Sequence, residues 1–292
     1  MDYTPDISTY RQRYNLSFQH VEHKAQYVPF QGYYLFYQMF RQPHDAPLVL
    51  FLHGLFDHTG VHADGIRFLT EHGYHVAAFD LPGHGCSGGP KRKTEVFAEY
   101  RESLSAVLSK LRLEGTEKIH GVGHSTGGAV LADYLLSAED AAMFQNVVLV
   151  SPLIRSNQWH LVKMAVPLVS LMQNELPRKF RMSTGAEAFM EQLKNDPLEG
   201  DTIPLTWVHS MFQWERNIMK KQPSQKPIAI LQGTKDQTLE WKHNLKAYAE
   251  LFPRSERILI NEARHHLLNE QKAQKQLTYR LIHDKLKKEE KT

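Results

Sequence analysis

The sequence predicts an α/β protein built on a mostly parallel, doubly wound sheet. Short apolar runs rich in β-branched residues alternate with helical patterns along most of the chain. These runs are apolar nearly throughout, which is typical of strands covered on both faces by helices. Strand, helix and strand at this spacing indicate parallel crossovers. One long interval between two strands also predicts an insertion.

The core strands are predicted where the apolar runs occur. They cover residues 47–54, 75–80, 118–124, 146–152, 227–233 and 257–261. Ahead of them, residues 16–22 and 32–40, with a Gln-Gly turn between, predict an antiparallel pair at the sheet edge.

Helices are predicted between these strands. The clearest covers residues 94–113, where apolar residues recur at steps of three and four and form one stripe. Residues 125–138 and 240–251 show the same kind of pattern, and residues 269–287 predict a final helix.

The interval from residue 153 to residue 225 breaks this alternation. It holds about 70 residues, in which helical patches are separated by prolines. Such breaks predict several short helices. We expect them to lie over the carboxyl edge of the sheet, where open α/β sheets bind ligands. The sequence therefore predicts a core of residues 1–152 and 226–292 and a helical cap of residues 153–225.

Composition excludes several classes of protein. The net charge is only +3 over 292 residues, and acidic and basic residues are interspersed apart from a charged C-terminal tail, so a nucleic-acid partner is not expected. Cys86 is the only cysteine, which rules out an intrachain disulfide. The chain begins without a secretory pattern, and no apolar run is long enough to span a bilayer. We expect a cytoplasmic, soluble protein.

A candidate nucleophile lies in the stretch Gly123-His124-Ser125-Thr126-Gly127, which fits the G-x-S-x-G pattern. It follows a predicted strand directly and opens a predicted helix, the context that this pattern requires. A tight turn there exposes the hydroxyl of Ser125, and glycines are needed where side chains would collide. The following helix directs its N-terminal amides towards developing negative charge.

With these residues the chain resembles the α/β-hydrolase family, and within it the monoacylglycerol lipase and lysophospholipase-like branch, also described as serine aminopeptidase-like. The resemblance covers about residues 45–155 and 225–285. Besides the serine turn, it rests on "HGLFDHTG", "FDLPGHGCSGG", "LQGTKDQTL" and "NEARHHLLNE", each following a predicted strand. In the insertion only "NDPL" (195–198) is recognised. The resemblance implies an α/β-hydrolase fold with a cap inserted before the last two strands.

The resemblance also implies a catalytic triad in the order serine, acid, histidine. Asp236 matches the acid position, three residues past Gly233. His265 and His266 are adjacent after the last predicted strand. The branch pattern A-x-H-x-L-x-x-E implies His265 as the base, with His266 as the alternative. Their side chains leave the backbone in different directions, so only one should face Ser125.

The oxyanion hole requires two N–H donors. One is expected from the amide of Thr126, which follows the nucleophile. By resemblance the other is the amide of Leu55. His58 and His62 are four residues apart, but no H-E-x-x-H pattern or cysteine cluster accompanies them, so no metal site and no cofactor are predicted.

Apolar residues in the predicted cap suggest the substrate. Some should attach the cap to the sheet, and the others should line an apolar pocket. The candidates for the pocket are Trp159, Met164, Leu168, Trp207 and Phe212. No cation that would anchor a carboxylate or phosphate is evident. The sequence therefore predicts hydrolysis of a small acyl ester or monoacyl lipid, as by a carboxylesterase, monoacylglycerol lipase or lysophospholipase, through an acyl-enzyme.

Other functions stay open at this point. The same family includes aminopeptidases, amidases and thioesterases, and a receptor that retains the triad is a further alternative. An aminopeptidase would need cap carboxylates to hold an α-amine, and five are available: Glu187, Glu191, Asp196, Glu199 and Asp201. For the segment 159–172 we expect burial within the cap, with peripheral docking on a membrane as the alternative.

Overall fold

The structure, a computed structural model, describes residues 6–89, 97–137, 139–178 and 182–287. The strands, numbered in chain order, are β1 Glu22–Phe30, β2 Tyr33–Arg41, β3 Leu48–Leu52, β4 His75–Phe79, β5 Ile119–His124, β6 Phe144–Val150, β7 Glu175–Pro177, β8 Thr202–Pro204, β9 Ala229–Gly233 and β10 Glu256–Ile260. The α-helices are α1 Ile7–Arg13, α2 Ala63–Glu71, α3 Phe97–Leu113, α4 Thr126–Leu135, α5 Trp159–Val169, α6 Glu187–Lys194, α7 Leu205–Ile218, α8 Trp241–Leu251 and α9 Lys272–Leu286.

The main sheet has eight strands in the order β1-β2-β4-β3-β5-β6-β9-β10. From β4 to β10 neighbouring strands are parallel, whereas β2 runs antiparallel to both β1 and β4. This arrangement confirms the prediction of a mostly parallel sheet with an antiparallel edge. Each predicted core strand overlaps an observed strand, although β6 begins two residues before its predicted start.

The central strands β3, β5 and β9 are buried on both faces, as the apolar runs predict, whereas the edge strand β10 is mostly exposed. In β3, Leu48, Leu50 and Leu52 belong to one core cluster, while Val49 and Phe51 belong to another. The first cluster includes residues of α3, α4 and α8, and the second includes residues of α1, α2 and α9. Because side chains alternate along a strand, helices on both sides are needed to cover it. No described helix is long and apolar enough to cross a membrane.

The predicted first edge strand is wrong in position. The sequence predicts a strand at 16–22, but β1 begins at Glu22 and continues to Phe30. Gln31 and Gly32 both adopt positive φ, 44° and 83°, and pair Phe30 with Tyr33 in a tight hairpin. Such a two-residue turn requires the strand to extend up to the turn itself. The sequence interpretation placed the strand too early.

The predicted helices are observed with shorter bounds, as α3, α4, α8 and α9. Residues 94–96 and 138, which belong to predicted helices, lie outside the described residues. Helices α1 and α2 have no counterpart among the predictions.

The segment 153–225 contains α5, α6 and α7, as the helical patches predict, but also a two-stranded antiparallel pair, β7 with β8. Pro167 lies inside α5 and does not end it. The sequence also predicts a helical patch at 169–176, but these residues do not form a helix: α5 ends at Val169 and residues 175–177 form β7. We call residues 153–225 the cap segment below.

Two hydrogen bonds join the cap segment to α3. The indole N–H of Trp207 donates to the hydroxyl oxygen of Tyr100 at 3.1 Å, and the backbone N–H of Phe97 donates to Ser210 Oγ at 3.0 Å. All four residues are buried. These contacts position α7, one wall of the cavity described below.

Candidate active site

Ser125 lies at the turn between β5 and α4, with φ of 50° and ψ of −112°. A positive φ is strained for a residue other than glycine. The turn is possible because its neighbours lack side chains. A Cβ at Gly123 would lie 2.7 Å from the carbonyl oxygen of Gly127, and a Cβ at Gly127 would lie 2.4 Å from that of His53. Both glycines are therefore required by backbone packing, as the sequence pattern predicts.

Three side chains from separate parts of the sheet meet at this turn. The Ser125 hydroxyl lies 3.0 Å from His265 Nε2, placed to donate to it. On the other side of the ring, His265 Nδ1 lies 2.8 Å from Asp236 Oδ2. All three residues are buried, with at most 7% exposure. His266 does not contact Ser125, so of the two adjacent histidines it is His265 that joins the serine to the acid.

Asp236 is held as a carboxylate by several donors. The backbone N–H groups of Thr238 and Leu239 donate to Oδ1, and the Gln232 amide donates to Oδ2. Burial acts to raise the pKa of the Asp236 carboxyl, but His265 and these hydrogen bonds outweigh it and lower that pKa below its ordinary value. The carboxylate therefore stays ionised beside the imidazole.

The loop after β3 approaches the serine closely. A Cβ at Gly54 would lie 3.2 Å from the Ser125 Cβ, a tight contact that glycine avoids. Leu55 follows in the loop, and both Leu55 and Thr126 line the same cavity as Ser125. The two residues predicted to supply oxyanion amides are thus brought together around the serine.

Ser125 and His265 line a cavity of about 620 Å³. The cap segment contributes most of the apolar side chains that line it. They are Leu153, Val162, Val166, Leu176, Met190, Leu193, Ile203, Trp207, Val208 and Met211. Arg178 also lines the cavity, although the sequence analysis expected no cation there, and it forms an ion pair with Glu199.

Only one of the five predicted pocket residues lines this cavity. Trp207 does so, whereas Trp159 and Phe212 do not. Both of these are buried and pack against each other, with ring centroids 4.9 Å apart in an edge-on arrangement. Their role is to join α5 to α7. The prediction for them is wrong because large aromatic side chains serve equally well as packing between helices.

The predictions for Met164 and Leu168 are also wrong, and here the cause is helix rotation. These residues are 66% and 69% exposed, on the outer face of α5. Val162 and Val166, four residues apart, form the face that lines the cavity. A helix that is apolar on both faces carries no periodic signal to show which face points inwards. The spacing of Val162 and Val166 fits an inward stripe, but so does that of Met164 and Leu168.

Burial of the segment 159–172 within the cap, the interpretation preferred above, holds for Trp159 but is wrong for five other large side chains. Together they form an exposed apolar surface, which we call the α5 patch. Its members and their exposed fractions are Leu161 59%, Met164 66%, Leu168 69%, Leu171 84% and Met172 90%.

Beside the serine lies a second group of buried ionisable residues, which the sequence analysis missed. Asp57 Oδ2 lies 3.1 Å from His62 Nε2, 3.2 Å from His124 Nδ1 and 3.3 Å from His266 Nε2. We call Asp57, His62, His124 and His266 the Asp57 cluster. Burial lowers the pKa of His62 and of His124 to about 4, so both are neutral near pH 7. Burial also acts to raise the pKa of Asp57, but the histidines lower it well below its ordinary value.

The recognised stretch "NDPL" connects the cap segment to the core. Asp196 Oδ2 lies 3.3 Å from His58 Nε2, and Asp196 Oδ1 accepts a hydrogen bond from the Tyr14 hydroxyl at 2.8 Å. His58 belongs to the stretch "HGLFDHTG". Two stretches recognised separately in the sequence thus contact each other.

Comparison with known proteins identifies the family of this chain. A family model described as serine aminopeptidase, S33, matches residues 43–272, well over half of the chain. The chain belongs to this family. It has the α/β-hydrolase fold and falls in the monoacylglycerol lipase and lysophospholipase-like branch, which confirms the resemblance stated above.

Individual relatives of this S33 hydrolase are distant. Phospholipase YtpA of Bacillus subtilis is 25% identical over 179 residues, 60% of this chain and 68% of that protein. The monoglyceride lipase of Rattus norvegicus is 28% identical over 166 residues, 56% of this chain and about half, 53%, of that lipase. A solved structure of a soluble variant of monoglyceride lipase from Saccharomyces cerevisiae, in complex with a substrate analog, matches with a TM-score of 0.78 at 20% identity, covering 93% of this chain and 97% of that one.

Proposed function

We propose that this protein is a serine hydrolase that cleaves carboxylic esters with an aliphatic acyl chain, of the carboxylesterase, monoacylglycerol lipase or lysophospholipase type. The observation that carries the proposal is the chain of contacts from Ser125 through His265 to Asp236 at the wall of an apolar cavity. The names of its relatives, a phospholipase and monoglyceride lipases, support the same substrate class.

In the proposed reaction, Ser125 Oγ attacks the ester carbonyl while His265 Nε2 takes its proton. The tetrahedral intermediate collapses, His265 returns the proton to the leaving alcohol, and an acyl-enzyme remains. Water, deprotonated by His265, then attacks the acyl carbon and releases the acid and the serine. Asp236 keeps Nδ1 protonated and stabilises the imidazolium that forms at each step.

We propose the amides of Leu55 and Thr126 as donors to the oxyanion. The amide of Thr126 is the first of α4, where unpaired N–H groups and the helix dipole favour negative charge. Removing one oxyanion donor costs about 3 kcal/mol in enzymes of this kind. We also propose that the cap segment encloses the acyl chain, since it contributes most of the apolar wall of the cavity.

The lining of the cavity argues for ester over aminopeptidase activity. An aminopeptidase needs a carboxylate to hold the α-amine, yet none of the five candidates in the cap segment is among the described lining residues. Asp196 pairs with His58, and Glu199 pairs with Arg178. Asp57 does line the cavity, but it already accepts from three histidines.

The test is a series of p-nitrophenyl esters, from acetate to palmitate, with aminoacyl-anilides alongside. We expect ester hydrolysis with an optimum chain length, reduced about 10⁴-fold or more in Ser125→Ala. Ser109→Ala, on the exposed face of α3, is the matched control and should retain activity. Anilide cleavage without ester cleavage would instead indicate an aminopeptidase. A folded wild type inactive on both series would favour a receptor.

We further propose that the protein docks peripherally on membranes through the α5 patch. The same helix that lines the cavity with Val162 and Val166 exposes Leu161, Met164 and Leu168 on its other face, and Leu171 and Met172 are exposed just after its end. Exposed apolar side chains gathered on one surface are typical of sites that contact lipid or protein. For a hydrolase of monoacyl lipids, a bilayer is the source of the substrate.

Co-sedimentation with phosphatidylcholine vesicles tests this docking. We expect Leu168→Glu to weaken vesicle binding at least about 10-fold, because inserting one leucine into lipid contributes about 2 kcal/mol. Leu277→Glu, at an exposed leucine on α9 outside the patch, should bind as the wild type does. Equal binding by both variants would contradict the proposal. Hydrolysis of a short, water-soluble ester should be the same in both, which separates docking from catalysis.

A further inference from the structure

The Asp57 cluster has no part in the reaction proposed above, and its donor set is unusual for a packed interior. Three imidazoles and one carboxylate present ligand atoms that all lie within 4.8 Å of one another. All four residues are buried, with at most 4% exposure. Histidine nitrogens with one carboxylate oxygen are typical of ligands to zinc and neighbouring transition metals.

Three imidazoles crowd around one buried carboxylate. His62 Nε2 and His124 Nδ1 lie 3.1 Å and 3.2 Å from Asp57 Oδ2, and His266 Nε2 lies 3.3 Å from Oδ2 and 3.4 Å from Oδ1. Hydrogen bonds to the two carboxylate oxygens are one use of these nitrogens. The same four groups can instead each give a lone pair to a cation at their centre, since neutral imidazole nitrogens and a carboxylate oxygen are ligands that zinc takes.

The spacing of the ligand atoms also suits a tetrahedral ion. Zinc binds nitrogen and oxygen at about 2.0–2.1 Å, which places the ligand atoms of a tetrahedron roughly 3.3 Å apart. The three distances from Asp57 Oδ2, 3.1 Å, 3.2 Å and 3.3 Å, match that value. The nitrogen–nitrogen distances, at most 4.8 Å, shorten when the imidazoles turn towards the ion.

The surroundings supply an entry path and an outer contact. Asp57, His124 and His266 line the cavity, so an ion from solvent can reach the cluster. Asn269 Nδ2 lies 3.4 Å from His266 Nδ1. The same amide nitrogen donates to the carbonyl oxygen of Val61 at 3.2 Å, which holds Asn269 beside the ring of His266.

We propose that Asp57, His62, His124 and His266 form a binding site for a divalent transition-metal ion of the Zn²⁺ type. This revises the expectation from the sequence that no metal site exists. The ligands escape motif analysis because they come from separate positions: the loop after β3, the end of β5 and the loop after β10. The site is distinct from the triad, although His124 and His266 adjoin Ser125 and His265 in the chain.

The test uses the full chain, treated with a chelator and dialysed, and the metals alone as probes. We expect calorimetry to show one Zn²⁺ bound per chain, and Co²⁺ to give the intense visible absorption of tetrahedral coordination. Zn²⁺ should also raise the midpoint of thermal unfolding, because an ion that binds only the folded state stabilises it. None of these readouts depends on ester hydrolysis, so they stand even if the proposed activity fails.

Two variants and a matched control assign the site. His62→Gln and His266→Gln should each weaken Zn²⁺ binding at least about 100-fold and abolish the tetrahedral Co²⁺ spectrum. His120→Gln, at a buried histidine outside the cluster, should retain both. Absent binding to the wild type, an octahedral Co²⁺ spectrum, or full binding by both cluster variants would each overturn the proposal. The wild-type spectrum decides the matter even if a variant does not fold.

Discussion

His265 and His266 are adjacent in the chain, but their imidazoles serve two different carboxylates. His265 bridges Asp236 and the Ser125 hydroxyl, one partner on each nitrogen. His266 shares Asp57 with His62 and His124, and within the described part of the chain no hydroxyl group bonds to any of these three imidazoles. The same pair of side chains, histidine and aspartate, thus occurs twice within one site.

The difference lies in what the second nitrogen of the imidazole contacts. A histidine moves a proton in catalysis only if one nitrogen faces the reacting group while the other is held by its orienting partner. His265 meets both conditions. In the Asp57 cluster the carboxylate gathers three imidazoles, and the buried nitrogens His62 Nδ1 and His124 Nε2 have no hydrogen-bond partner among the described residues. The Asp57 cluster is therefore suited to binding an ion, but not to transferring a proton to a substrate.

Removing the charge of each carboxylate in turn is the strongest test of the difference between the triad and the Asp57 cluster. Asp236→Asn should reduce kcat for ester hydrolysis about 10⁴-fold, because the amide no longer holds the correct tautomer of His265. Asp57→Asn, the matched change in the cluster, should reduce kcat less than about 10-fold, since Asp57 does not contact His265 or the Ser125 hydroxyl. Steady-state kinetics on a short ester measures both. Equal losses would mean that the two groups act as one catalytic unit.

Stability should show the next largest effect, now in the cluster. Asp57→Asn leaves three buried imidazoles around a neutral amide. The NH₂ group of that amide donates hydrogen bonds, so it faces imidazole N–H groups that also donate. We expect a loss of about 3 kcal/mol in the free energy of unfolding. Urea denaturation with EDTA present measures it, because the chelator removes any contribution from metal. An unchanged midpoint would show that the carboxylate charge does not hold the cluster together.

Ser125, Asp236 and His265 could be predicted because each lies in a short local pattern at the end of a strand. The choice between His265 and His266 needed the structure, since backbone direction at a loop decides it. The Asp57 cluster could not be predicted, because its four residues meet only after β3, β5 and β10 come together. The inward face of α5 could not be predicted from the sequence either, because Val162 and Met164 are both apolar. The rotation of the helix about its axis is fixed only by its packing against α7.

The smallest expected effect concerns His120, a buried histidine to which no carboxylate among the described residues is bonded. Burial lowers the pKa of His120 below its ordinary value. Below about pH 6.5 the unfolded chain therefore takes up a proton more readily than the folded one, and stability falls as the pH falls. Between about pH 7.5 and pH 5, His120→Gln should lose less unfolding free energy than the wild type. A loss as large in the variant would show that His120 does not contribute to the pH dependence.

Helix α5 has two apolar faces with different surroundings. Val162 and Val166 line the cavity beside Ser125, whereas Leu161, Met164 and Leu168 are exposed on the outside of the molecule. Because side chains on opposite faces share no partners, substitutions on them should combine additively. The proposed preference for acyl-chain length and the proposed docking on a membrane can therefore change independently during evolution. Under the proposed function, a single helix of 11 residues gives the protein two separate surfaces on which to adapt to a new lipid without altering the serine, histidine or aspartate.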